Sequence, residues 1–203
     1  MKLTTRHLVI LAVFAALWGV VEISLGSVLK AFNIPFSGAV LSAIGLMIAM
    51  TARVIVPKRG TTLFIGVIVM ILKLFSIGSI IIGPMIGIIM EAVIAEIVLS
   101  VFGKPNLVAL LTAGAVGTLW VLVQPFVTGL LIFGRDIFTV WLDLLDTGKR
   151  IFGIDQSLAV VIVIVLVVVH VLIGMLSGWL AWTIGKLLVA RMPNLKSQQG
   201  EIQ

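Results

Sequence analysis

The chain has no cysteine and no tyrosine, and only 11% of its 203 residues are charged. The missing thiols remove disulfides, thiolate metal sites and thiol catalysis together, and leave the redox compartment unmarked. There is no phosphate-binding P-loop, no HExxH, no GxSxG and no cluster of Asp or His at metal-ligand spacing. Such a chain has no motor for ATP hydrolysis, so active transport by it would draw on separate motor subunits or on ion coupling. What fills the sequence instead is hydrocarbon: 61% of residues are hydrophobic and the mean hydropathy is +1.31. Apolar runs of this length, broken by short charged or Gly/Pro-containing stretches, predict an all-α polytopic integral membrane protein. The net charge of +6 then reports orientation and contact with anionic headgroups, and gives no reason to expect nucleic acid as a partner.

Six spans can be drawn, His7 to Val28, Ser37 to Val56, Thr61 to Ile77, Ser79 to Phe102, Leu107 to Phe133 and Ser157 to Val189, giving one six-helix domain over residues 1–192. The first is expected to be an uncleaved helix, because its apolar run outlasts a signal core and no small-x-small site closes it. The last, at 1.5 Å per residue, would run to about 50 Å and must tilt or project into water. Gly and Pro punctuate nearly every break, the weakest being Ile77-Gly78. Nine Lys and Arg fall on the side that holds the N-terminus (Lys2, Arg6, Arg53, Lys58, Arg59, Lys104, Lys186, Arg191, Lys196) and five on the other (Lys30, Lys73, Arg135, Lys149, Arg150). By the positive-inside rule both termini face the cytoplasm, in a multi-pass protein of the cell membrane. Between the last two spans, residues 137–153 place Phe138, Trp141, Leu142, Leu145 and Ile151 near helical spacing, which predicts an external interfacial helix. Residues 193–203 read as a polar cytoplasmic tail.

Charges inside such spans are costly and need a reason, since a carboxylate at mid-membrane costs roughly 2.5 to 3.5 kcal/mol on insertion scales. Counting depth from the span ends puts Glu22, Lys73 and Gln124 in the outer half, Glu91 and His170 near the middle, and Glu96 deeper. Polar groups crowded into the outer two-thirds suit an outward-opening pocket better than a pore lined from end to end. Trp18 and Glu22 stand four residues apart, as do Trp120 and Gln124, so two helices each offer an indole and a hydrogen-bonding group on one face. The predicted substrate-binding set is therefore Trp18, Glu22, Lys73, Glu91, Trp120, Gln124 and His170, suited to a flat heterocycle. The bland alternative is structural: Lys73 pairs with Glu22 or Glu91 to tie helices, and a lone His makes one interhelical hydrogen bond. Glu96 lies about 140° of helical rotation from Glu91 and cannot share its face.

Small residues at three- or four-residue spacing form close-packing stripes, among them Ala12, Ala16 and Gly19, Gly83 and Gly87, Gly114 and Gly117, and Gly174, Gly178, Ala181 and Gly185. Six short helices with both ends inside, the AVFAALWG stretch from Ala12 to Gly19, and an outward-biased pocket together resemble the substrate-binding S component of an energy-coupling factor (ECF) transporter. That resemblance implies a subunit that captures a vitamin or a small heterocyclic precursor from outside and catalyses nothing itself. It would dock through Ala12 and Ala16 onto a transmembrane T subunit carrying two ABC ATPases, which would use the ATP, and topple to release substrate. The segment from Lys30 to Gly38 would help gate the pocket. The chain itself would hold no cofactor. Two other readings stand beside this one, a proton-coupled carrier relaying protons through Glu91, Glu96 and His170, and an intramembrane enzyme or assembly protein using the same polar groups.

Overall fold

The computed structural model describes residues 4–32, 34–75 and 82–191. Among them every regular element is helical: α1 Thr5–Ala31, α2 Ser37–Ile55, α3 Thr61–Lys73, α4 Ile82–Phe102, α5 Leu107–Leu131, α6 Ile137–Phe152 and α7 Ala159–Arg191, with a 3-10 turn Gln156–Leu158 ahead of α7. Five of these, α1, α2, α4, α5 and α7, are long and apolar enough to cross a membrane. An all-helical chain is the expected solution in hydrocarbon, where each backbone N–H and C=O must find its partner within its own segment.

The third span is shorter than the sequence suggests. Its helix stops at Lys73, and Leu74 and Phe75 close it with tightened bonds to the Ile71 and Leu72 carbonyls, both 3.1 Å. Thirteen residues rise only about 20 Å, less than the hydrocarbon thickness of a bilayer. The expected continuation to Ile77 and the start of the fourth span at Ser79 lie outside the described residues, as does the tail. Pro84 falls in the first turn of α4, where its missing N–H is an orphan in any case, so it starts that helix without kinking its middle. Local chemistry marks other ends: the Asn106 side chain accepts from Ala109 N at 2.9 Å to cap α5, and Asp136 accepts from Phe138 N and Thr139 N to cap α6. Asp155 does the same ahead of α7, and the backbone N–H of Ser157 at 2.9 Å holds its exposed carboxyl below the ordinary range.

Close approach sets the packing. Gly114 of α5 meets the Gly174 carbonyl of α7, and Leu110 meets Gly178, so these two helices run antiparallel with their backbones in contact. A Cβ at either glycine would collide with main chain. α2 runs beside α7 in the same direction, with Phe36 at His170 near one end and Val54 at Gly185 near the other. α1 and α3 lean on each other and on α2, and α4 bridges α3 and α5. Two apolar clusters fill the interior, one around Leu11, Trp18 and Ile65, the other around Leu46, Leu99 and Leu110. The sixteen residues of α6 do not join the bundle in parallel. Their apolar face, with Leu145 buried, folds over the ends of α5 and α7, where Gly148 seats Ile162 and Gly129 seats Val140.

Candidate functional site

The polar residues of the bundle and of the segment over its end separate into three groups. At the end formed by the α2–α3 and α4–α5 turns, Glu96 accepts from Gly60 N at 2.6 Å, Thr62 N at 3.1 Å, Ser100 Oγ at 2.8 Å and the Thr62 hydroxyl. Arg53, 1% exposed, places Nη1 at 3.5 Å from the same carboxylate. Glu96 thus supplies from α4 the cap that α3 lacks, since the residue in the capping position is Gly60, left-handed at φ 88° and without a side chain.

The second group lies deeper among α1 to α4. Trp18 is fully buried, its indole lies on the bare backbone of Gly45, and its Nε1 donates to Glu22 Oε1 at 3.4 Å. Lys73 Nζ donates to the Glu22 carboxylate at 3.3 Å and to the Glu22 carbonyl at 2.9 Å, fastening α3 to α1. Glu91 is buried beside Ser42 and within electrostatic reach of Glu22, and among the described residues the buried Ser42 hydroxyl makes no hydrogen bond of ordinary geometry. Ser42 is one turn along α2 from Gly38, so this cluster sits about one helical turn beneath the cavity described next. Gln124 donates to the Gly83 carbonyl at 2.8 Å and lies over Gly87, tying α5 to α4, while the buried Trp120 Nε1 has no hydrogen-bond partner among the described residues.

The third group faces open space. At the opposite end of the bundle from Glu96, a cavity of about 970 Å³ opens between the α1–α2 connection, the last turns of α5, the first half of α7 and the overlying α6. Apolar side chains such as Leu122, Phe126 and Ile151 form most of its wall, and its polar groups are Ser37, Arg135, Asp143, Thr147, Arg150 and His170. Arg135 and Asp143 form an exposed ion pair at 2.5 Å across the start of α6. His170, 3% exposed, bonds through Nδ1 to the Leu166 carbonyl at 2.8 Å. Its ring meets Phe36 edge-on, centroids 5.8 Å apart, and Phe36 also meets Phe152 at 5.8 Å. Phe36 adopts φ 59°, the left-handed region that a bulky residue enters only at a cost of about 1–2 kcal/mol. That strained turn places its ring in the cavity wall, against His170 and Phe152.

Of the seven residues predicted to contact substrate, His170 lines the cavity. Trp18, Glu22, Lys73 and Glu91 are gathered with one another below it, and Trp120 and Gln124 lie on the neighbouring face of α5 toward α4. Arg135, Asp143 and Arg150 are cavity residues that intramembrane depth could not reveal, because they lie outside the spans. For Asp143 and Arg150 the signal was the amphipathic pattern of residues 137–153, which marks a helix needing an apolar surface to cover. Ala12 and Ala16 stand on the outer, exposed face of α1, beside exposed Val9, Val13 and Leu17. No metal-holding group of three or more His, Cys, Asp or Glu occurs among the described residues. Comparison with family models, curated proteins and solved structures finds no match to this chain.

Proposed function

We propose that the chain is a membrane-embedded capture subunit that takes a small organic solute, of vitamin or vitamin-precursor size, from outside the cell, in the manner of an ECF S component. The observation that carries this reading is the one-ended cavity: it opens at the α6 end, while the other end of the bundle is packed with Leu46, Leu99 and Leu110 and tied by Glu96. A binding vessel wants that shape; a continuous conduit does not. In this reading α3 joins the five longer helices to make six crossings, both termini are cytoplasmic, and α6 lies outside in the cell-membrane interface. Energy comes from a T subunit with two ABC ATPases, docked on the exposed face of α1 that carries Ala12 and Ala16. The Glu22–Lys73 pair beside Glu91 is the relay-like element that a proton-coupled carrier would use instead. Against a relay running on to Glu96, that carboxylate is already engaged by Gly60, Thr62, Ser100 and Arg53.

Native mass spectrometry of the gently purified chain, followed by uptake assays with and without partner subunits, tests this directly. Retention of a small solute, its loss when Gly38 is replaced by Trp to fill the cavity, and uptake only with ATPase partners are expected. Uptake in liposomes by the chain alone, abolished by a protonophore, would replace the capture reading with the carrier.

A further inference from the structure

The polar groups of the cavity are unevenly satisfied, and what they leave open describes a ligand. At the mouth, Arg135 is paired with Asp143, whereas Arg150 has no carboxylate partner among the described residues. Two guanidinium groups against one carboxylate leave the wall one positive charge in excess. A monoanion neutralises that excess, and a dianion overshoots it. Arginine's planar fork favours a carboxylate in particular, which it can take through two parallel hydrogen bonds.

At the inner wall the tautomer of His170 decides what is left open. A carbonyl oxygen only accepts, so the 2.8 Å contact with Leu166 O requires the hydrogen on His170 Nδ1. In the neutral ring Nε2 is then an acceptor with its lone pair free. It has no hydrogen-bond partner among the described residues, and it is not sealed off, since the ring lines the cavity. A side chain this deeply buried, with an acceptor left open toward a void, calls for an N–H or O–H donor. Apart from these groups and Ser37 and Thr147, the wall is hydrocarbon and aromatic, including Phe36, Leu122 and Phe126.

We propose that the cavity takes an amphipathic monocarboxylate with an apolar or aromatic body, its carboxylate at Arg150 and a hydrogen-bond donor on its far end given to His170 Nε2. This rests on the reading of the cavity as the capture site and adds to it the class of solute. Arg150 and His170 are the residues that set specificity.

Titration calorimetry of the full detergent-purified chain with four matched probes tests the class: para-hydroxyphenylpropionate, its methyl ether, its primary amide, and tyramine. The hydroxy acid should bind best, with losses of roughly tenfold for the ether, which cannot donate, and tenfold or more for the amide and the amine. Arg150→Gln should bring the acid down to the amide while leaving the phenol-to-ether ratio unchanged. His170→Phe should erase the phenol-to-ether ratio and leave the acid-to-amide ratio. If His170→Phe does not fold, the two ratios in the unaltered chain still decide. Equal or tighter binding of the amide, the amine or the ether overturns the proposal, as does no binding of any probe at millimolar concentration. The capture reading survives that outcome if a neutral or cationic solute is retained in native mass spectrometry and taken up with partner subunits. If nothing is retained or taken up, both fall.

Discussion

Phe36 and Glu96 are the residues where local chemistry and long-range structure conflict most openly. Phe36 holds a left-handed backbone so that its ring can touch His170 and Phe152. Phe36→Gly removes the ring but also the strain, whereas Phe36→Ala removes the ring and keeps a Cβ in the left-handed region. The glycine variant is therefore expected to be the more stable of the two, by about 1 kcal/mol, the reverse of the usual ranking. Thermal unfolding of both in the same detergent checks this, and equal midpoints would show that φ is not held positive there. Glu96→Ala should be far more damaging, about 3 kcal/mol or more, because it uncaps α3 and leaves the Arg53 guanidinium buried without its counter-charge. Glu96→Gln, which keeps an acceptor, should fall between the alanine variant and the unaltered chain in the same unfolding series. The sequence could show that Glu96 faced away from Glu91, because helical rotation is a local property. It could not show the partner, because Gly60 and Thr62 lie more than thirty residues away and meet Glu96 only when α3 packs on α4. The i, i+4 pairing of Trp18 with Glu22 was readable for the opposite reason: both groups ride one helix, and the structure joins them.

Among the elements, α6 differs from the rest in being held by one apolar face and a few polar ties. Its exposed Arg135–Asp143 pair should contribute less than about 1 kcal/mol, so Asp143→Asn is expected to leave the midpoint of unfolding nearly unchanged. Gly148→Leu is different, since a side chain there strikes Ile162 of α7. Hydrogen exchange should then show α6 losing protection while α5 and α7 keep theirs. Loss of protection throughout the bundle would mean that α6 is structural for the whole domain. Apolar periodicity identified α6 as a helix and predicted that its apolar face would be covered. Periodicity does not say by what, and the membrane interface was the default surface. In the structure the buried part of that face, with Leu145, covers the ends of α5 and α7, and that is why the arginines of this segment were absent from the predicted site.

For the molecule as a whole, the apolar runs and their Gly/Pro breaks made the helices legible among the described residues, with the largest shortfall at α3, whose last turn closes at Phe75. Sidedness depends on charge bias, and the absence of native cysteine makes it easy to test. Lys149→Cys, on exposed α6, should react with a membrane-impermeant maleimide on intact cells, and Lys104→Cys, in the α4–α5 turn, only after permeabilisation. The opposite pattern would invert the orientation and turn the cavity toward the cytoplasm.

Of the six polar side chains in the cavity wall, four belong to one stretch of chain, Arg135 just ahead of α6 and Asp143, Thr147 and Arg150 on it; only Ser37 and His170 come from the bundle. The stretch lies between Gly134 and Gly153, both left-handed, at φ 59° and 67°. Five helices long and apolar enough to cross a bilayer thus frame the bundle, and one short segment laid over its end brings most of the polar side chains to the cavity.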